Sequence, residues 1–287
     1  MNSDKLKNLT IRTLSGAVLA ALLFGATLLS PWGYVAMLAV IVVVGVWEFY
    51  SLCEACGYAP QKVMGVTLSV LLFAFGASVF SSVVIERSIV AESIILAAIL
   101  YALAAVPAVF ICELFRDHKH PIANVATTLA AILYVALPAT IMLAVPQQLG
   151  VAANVWNPWY VICYVLIIWA NDVFAYIVGI TLGKHRICER ISPKKSWEGF
   201  VGGVVAAVGF AALFGWLLKG NILLWSGLGA VIAVTGVAGD FVESMFKRSA
   251  AVKDSGSIMP GHGGVLDRFD ALLISAPYAL LYLILIS

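Results

Sequence analysis

Tyr160 to Leu182 reads YVICYVLIIWANDVFAYIVGITL, twenty-three residues that carry one charge, Asp172. A helix needs about 20 mostly apolar residues to cross a bilayer. A barrel strand needs about 10, with apolar and polar residues alternating. This stretch is apolar all round, so it predicts a spanning helix. Eight further stretches have the same character: Leu14–Ser30, Tyr34–Ser51, Val66–Ile85, Ile94–Phe115, Ile122–Val145, Phe200–Leu218, Leu223–Phe246 and Ala271–Ile286. The composition agrees, since 62% of the 287 residues are hydrophobic and 11% are charged. Soluble domains are about 45–50% apolar and about 25% charged. That difference excludes a soluble globular protein, a disordered chain and a nucleic-acid-binding module. The net charge of +2 implies neither a strongly basic nor a strongly acidic partner surface. The fold class expected is therefore all-α, a polytopic membrane protein of about nine transmembrane helices. A single membrane domain is expected over 1–287. Its first 150 residues read as helices poor in polar residues, and 151–287 as helices with two polar loops.

Lys and Arg accumulate in short cytoplasmic loops. Placing the N-terminus, with Lys5, Lys7 and Arg12, in the cytoplasm puts 15 of the 17 Lys and Arg on that side; only Arg87 and Lys219 fall outside. The first stretch is read as a retained anchor, because a second follows a short turn and no cleavage site stands out. Cys53 and Cys56 form a C-x-x-C, but a zinc site needs four ligands. No second pair exists and Cys188 is alone, so metal or redox function is not expected there. Cys112 and Cys163 read as packing residues. The segment Arg116 to His120 reads as a solvated or headgroup-facing turn.

The polar residues concentrate in the second half. An ionisable group inside a span costs at least about 2.5–3.5 kcal/mol on insertion scales, so each is a functional candidate. Asp172 is one; its plain alternative is a buried carboxylate paired with another helix or kept protonated. Asp240 and Glu243 are three apart and share a helix face. Lys247 stands four after Glu243, so an i,i+4 ion pair is the plain alternative for Glu243. Two carboxylates at a membrane boundary suit a hard cation such as magnesium, which prefers oxygen ligands.

The stretch Lys247 to Asp270 reads KRSAAVKDSGSIMPGHGGVLDRFD. Its glycines allow positive φ and close backbone approach to a ligand. Cations and carboxylates alternate through it, the combination that metal-assisted phosphoryl chemistry needs. The stretch Lys184 to Gly199, KHRICERISPKKSWEG, is rich in cations. A cytoplasmic loop explains part of that charge, but Pro193 fixes the backbone beside Lys194, Lys195 and Ser196. Lysines hold phosphate as point charges.

Three pieces of this region together resemble a known signature. They are Ser244-x-Phe246-Lys247-Arg248, then Lys253-Asp254-x-Gly256, then Pro260-x-His262-Gly263-Gly264-x-x-Asp267-Arg268-x-Asp270. The signature is that of phosphatidate cytidylyltransferases, also called CDP-diacylglycerol synthases. Asn171-Asp172-x-x-Ala175-Tyr176 and Ser192-Pro193-Lys194-Lys195-Ser196-x-Glu198-Gly199 also match bacterial members. Met259 and Ser196 are mild departures from the usual residues.

The resemblance implies that CTP and phosphatidic acid give CDP-diacylglycerol and pyrophosphate, with Mg2+ as cofactor and room for a second cation. It implies a catalytic group of Asp240, Asp267, Lys247, Arg248 and His262. Metal ligands would come from Asp240, Asp267, Glu243, Asp172 and Asp270. Substrate contacts would come from Lys194, Lys195, Ser196, Lys253, Gly263, Gly264 and Arg268, and Asp254 would help order the loop. Partners expected are CTP, phosphatidic acid and the lipid bilayer, with a homodimer admitted and no nucleic acid. The location implied is the bacterial inner membrane, with the site facing the cytoplasm. Two alternative readings are an ion-coupled transporter and a membrane CTP enzyme acting on another lipid. Transporters often carry internal repeats, and none is visible here.

Overall fold

The computed structural model describes residues 3–84, 91–150, 156–259 and 263–286, with side chains from 15 to 81 and from 97 onward within those ranges. The helices are α1 (Ser3–Leu29), α2 (Pro31–Ala55), α3 (Lys62–Val84), α4 (Ala91–Leu114), α5 (Pro121–Ala131), α6 (Leu137–Met142) and α7 (Val145–Leu149). They continue with α8 (Pro158–Leu182), α9 (Trp197–Leu217), α10 (Ile222–Ser249) and α11 (Leu266–Ile286), and two short strands, β1 (Arg186–Cys188) and β2 (Ser192–Ser196), precede α9. Each of the nine apolar stretches lies on helix over most of its described residues, with turns at some ends and at Leu143 and Ala144. Among the described residues, eight helical segments are long and apolar enough to cross a membrane, and Ser15–Leu29 adds a shorter apolar one. The protein is an all-α polytopic membrane protein with one small hairpin.

Two compact units are distinguished. The first comprises Met1–Leu143 and Ser249–Phe269, and the second Ala144–Arg248 and Asp270–Ser287.

In the first unit, α2 is the central element. Tyr34, Leu38, Ile41, Val42, Val46, Phe49 and Tyr50 are buried along it, at the three-and-four spacing that makes a helical stripe. The two tyrosines carry polar tips into this core and satisfy them on backbone carbonyls. Tyr34 Oη donates to Met142 O at 2.7 Å, and Tyr50 Oη to Thr128 O at 2.9 Å. Between Ala131 and Leu137 the helix widens to a π-turn over Ile132–Ala136, and Leu137 N donates to Ile132 O. Pro138 follows; its ring has no N–H and would press on the carbonyl four residues back, so one wider turn relieves the conflict. Glu113, an acid within a span, is buried and accepts from Gln61 at 2.8 Å, Asn124 at 2.8 Å and Arg116 at 2.9 Å. Arg116 also donates to Ala59 O at 2.9 Å. This residue of the expected headgroup turn therefore ties the end of α4 to the connection between α2 and α3.

In the second unit, α8 and α9 pack face to face. Gly199, Gly203, Ala207, Ala211 and Gly215 recur every four residues on α9 and are buried. Lipid tails are as apolar as leucine, so close backbone approach along such small residues is what joins membrane helices. Trp225 of α10 fills the space beside Gly215, and Tyr164 of α8 bonds Ser275 of α11 at 2.8 Å.

Two polar segments differ from their sequence reading. Lys184–Glu198 contains the antiparallel hairpin β1–β2, with Arg186 opposite Ser196 and Cys188 opposite Ser192. The stretch Lys247–Asp270 is loop only in its middle, because α10 runs to Ser249 and α11 starts at Leu266. Lys247 and Arg248 lie in the last turn of α10 and Asp267 in the first turn of α11. Both placements complement the helix dipole.

Candidate active site

The second unit contains a cavity of about 510 Å³, apolar over most of its wall but lined by several charged residues. It forms where α8, the hairpin, the start of α9 and α10 face one another. Asp172, Arg186, Lys194, Lys195, Ser196 and Asp240 supply its polar lining, and Tyr176, Ile180, Phe200 and Val237 much of its apolar wall. Lys195 Nζ bonds Asp240 Oδ2 at 2.6 Å and lies 4.7 Å from the centre of the Phe241 ring. Asp172 is the electrostatic neighbour of this pair, set beside both Asp240 and Lys195. The backbone explains how β2 aims Lys195. Arg186 Nη1 donates to Lys194 O at 2.9 Å, locking the hairpin across its strands. Ser196 then turns the chain into α9 as its N-cap, accepting from Gly199 N at 3.2 Å. Glu198 closes the base of the hairpin, accepting from Lys184 N and bonding the His185 ring.

Further along α10, Glu243 is buried and pairs with Lys247 at 2.5 Å. The plain alternative weighed for Glu243 therefore describes its geometry. Asp270, also buried, sits beside Asp240 and Glu243 and accepts from Ala271 N at 2.8 Å. Gly239 makes this approach feasible, since a side chain there would meet Asp270 O. Asp172, Asp240, Glu243 and Asp270 thus form one acidic group, with Lys195 and Lys247 paired into it.

The glycine-rich loop belongs to the first unit. Asp267 Oδ2 accepts from Ser255 N at 2.8 Å, Ser255 Oγ at 3.0 Å and Gly264 N at 2.8 Å. Gly263 has φ of +83°, a conformation open to glycine, and its carbonyl accepts from Met259 N at 3.0 Å. Lys253, Asp254 and Arg268 are exposed. Arg248, at the end of α10, is exposed as well. His262 lies outside the described residues.

The candidate residues therefore divide. Asp172, Lys194, Lys195, Ser196, Asp240, Glu243, Lys247 and Asp270 gather within the second unit. Lys253, Gly263, Gly264, Asp267 and Arg268 gather within the first. Glu48 was missed by the sequence reading. It is buried on α2 and bonds the same loop. The signal was present, because it is a lone carboxylate within an apolar stretch.

Cys53 is buried, Cys56 partly so, and both are free thiols. Among the described residues, no three of His, Cys, Asp and Glu are arranged as a ready ligand set. Replacing both cysteines by serine should leave activity within about twofold, because the pair has no partner ligands among the described residues. A turnover assay with a metal analysis checks this; metal lost with the pair would contradict it.

Comparison with known proteins gives consistent matches. A family model described as the cytidylyltransferase family matches residues 10–286. A phosphatidate cytidylyltransferase of Synechocystis is 30% identical, over 96% of this chain and 97% of that protein. One from Rickettsia bellii is 31% identical over 69% of this chain and 86% of its own length. One from Staphylococcus saprophyticus is 43% identical over 41% of this chain and 46% of its own.

Proposed function

We propose, because this chain belongs to the cytidylyltransferase family, that it transfers the cytidylyl group of CTP to phosphatidic acid, giving CDP-diacylglycerol and pyrophosphate. The observation that carries the reading is the Lys195–Asp240 pair in the cavity that Arg186 and Lys194 also line. The nucleophile in this reaction is the lipid's own phosphate, so no Ser–His or Cys–His pair is required. One lipid phosphate oxygen attacks the α-phosphorus of CTP, and the bond to the β-phosphate oxygen breaks as pyrophosphate leaves. The residues must hold two polyanions together and offset their charge, so the catalysis is mainly positioning and electrostatics.

Within that scheme Lys194, Lys195 and Arg186 contact the nucleotide phosphates as charge-assisted donors. Asp240 orients Lys195. The apolar cavity of the first unit, about 760 Å³ between α1 and α2 and bordered by Ile258, Met259 and Phe269, suits acyl chains.

The acidic group is chemically suited to magnesium. Magnesium is commonly held by one or two carboxylates and completes its shell with water and substrate phosphates. Asp240 and Asp270, with Asp172 beside Asp240, offer oxygen donors of that kind. They would hold the ion, which when bound neutralises phosphate charge. Glu243 would tune the group through Lys247. Chelation should abolish turnover, and added magnesium should restore it while potassium alone should not; full activity in excess chelator would remove the cation from this reading.

The site is proposed to face the cytoplasm of a bacterial inner membrane, as the lysine and arginine distribution suggests. Cysteines introduced at Lys194 and Ser257, in a background without native cysteines, should react with an impermeant reagent only from the cytoplasmic side. Labelling of intact cells from outside would reverse the orientation.

A further inference from the structure

We propose that Glu48 of α2 is the positioning residue of the glycine-rich loop, holding it in the shape that cytidylyl transfer requires; the catalytic part rests on the function proposed above. Glu48 is 3% exposed. Both carboxylate oxygens are engaged. Oε1 accepts from Val265 N at 3.0 Å, while Oε2 accepts from Leu266 N at 2.9 Å and Ser255 Oγ at 3.2 Å. The first N–H groups of a helix have no partner within it and need an acceptor from elsewhere. At α11 that acceptor comes from a helix more than 200 residues earlier in the chain.

Ser255 links this carboxylate to the other end of the loop. It is buried, and its hydroxyl lies between Glu48 and Asp267. Two carboxylates thus hold Ser255 on one side of the loop, directly after Lys253 and Asp254, and Gly264, Val265 and Leu266 on the other. The glycines fit the same arrangement. A side chain at Gly256 or at Gly264 would run into the Glu48 carboxylate, and at Gly264 also into Ser255 Oγ. Gly256 and Gly264 are therefore needed because Glu48 occupies the space beside them, a close approach only glycine permits. Glu48 is thus the buried template on which the loop is shaped.

The test uses the full-length protein in detergent micelles. Glu48→Gln keeps the side-chain volume but sets an amide group against backbone donors. Hydrogen exchange at the amides of Val265 and Leu266 should accelerate at least about tenfold, because their acceptor, the Glu48 carboxylate, is weakened. Turnover with CTP and phosphatidic acid should fall at least about tenfold while the apparent KM for CTP stays within about threefold, the pattern of an interaction lost in the transition state. General destabilisation would not give that split. Gly264→Ala should accelerate the same amides and slow turnover similarly. The double variant Glu48→Ala/Gly256→Ala should be no slower than the worse of its two single variants, because the atoms that a side chain at Gly256 would meet first all belong to Glu48.

If Glu48→Gln does not fold, exchange in Gly264→Ala decides alone. Unchanged exchange at these amides overturns the proposal, and so do losses that multiply in the double variant. A wild-type protein inactive on phosphatidic acid would overturn the proposed reaction, and the exchange measurement would still judge Glu48.

Discussion

Replacing Asp240 by asparagine is expected to lower turnover at least about 100-fold, the scale on which a pre-aligned electrostatic group acts on a transition state. Asp240 is the hinge of its surroundings. It bonds Lys195 at 2.6 Å and lies beside Asp172 and the buried Asp270. Asparagine keeps the shape and removes the charge. Lys195 then loses the counter-charge that aims it, and the acidic group loses a donor for a cation. The thermal midpoint should change little, because Asp240 is only half buried. A turnover assay beside a melting curve separates the two effects. A near-normal rate in folded protein would remove Asp240 from the catalytic centre.

Lys195→Ala is the second large effect, and it should fall on the nucleotide. Both substrates carry phosphate, so charge alone does not choose between them. CTP is the more highly charged and arrives from water, whereas phosphatidic acid is retained by its tails. Lys195 lies on the hairpin wall of the cavity, and Arg186 and Lys194 beside it give that wall three cations. A charge-assisted contact is worth about 1.5–3 kcal/mol, so the apparent KM for CTP should rise roughly ten- to a hundredfold, and more than that for phosphatidic acid. Lys194 is more exposed, and its removal should have the smaller effect. A tenfold rise for phosphatidic acid with no change for CTP would make these lysines lipid-headgroup anchors.

The helices were legible because a bilayer-spanning element must be long and apolar, a constraint written residue by residue. Asp172 and Asp240 stood out for the same reason, as charges where charge is expensive. The hairpin was not legible. Arg186–Cys188 and Ser192–Ser196 are too short and too polar to show an alternating pattern, and they are fixed by Arg186 bonding Lys194 O and by Glu198 at their base. The ends of α10 and α11 were hidden because Lys247, Arg248 and Asp267 read as loop charges, although such charges also favour helix termini. Glu48 was passed over because its partners are backbone amides more than 200 residues away, and nothing in the local sequence announces them. The division of the candidate residues between two units is likewise a property of chain topology rather than of spacing.

The most direct measurement follows the phosphorus atoms. Purified protein is mixed with phosphatidic acid in micelles and with CTP labelled at either the α- or the γ-phosphate. The reaction proposed here moves the α label into chloroform-extractable lipid, releases one pyrophosphate for each label transferred, and leaves all γ label in the aqueous pyrophosphate. Recovery of γ label in the lipid, or transfer of α label to another acceptor but not to phosphatidic acid, would contradict it.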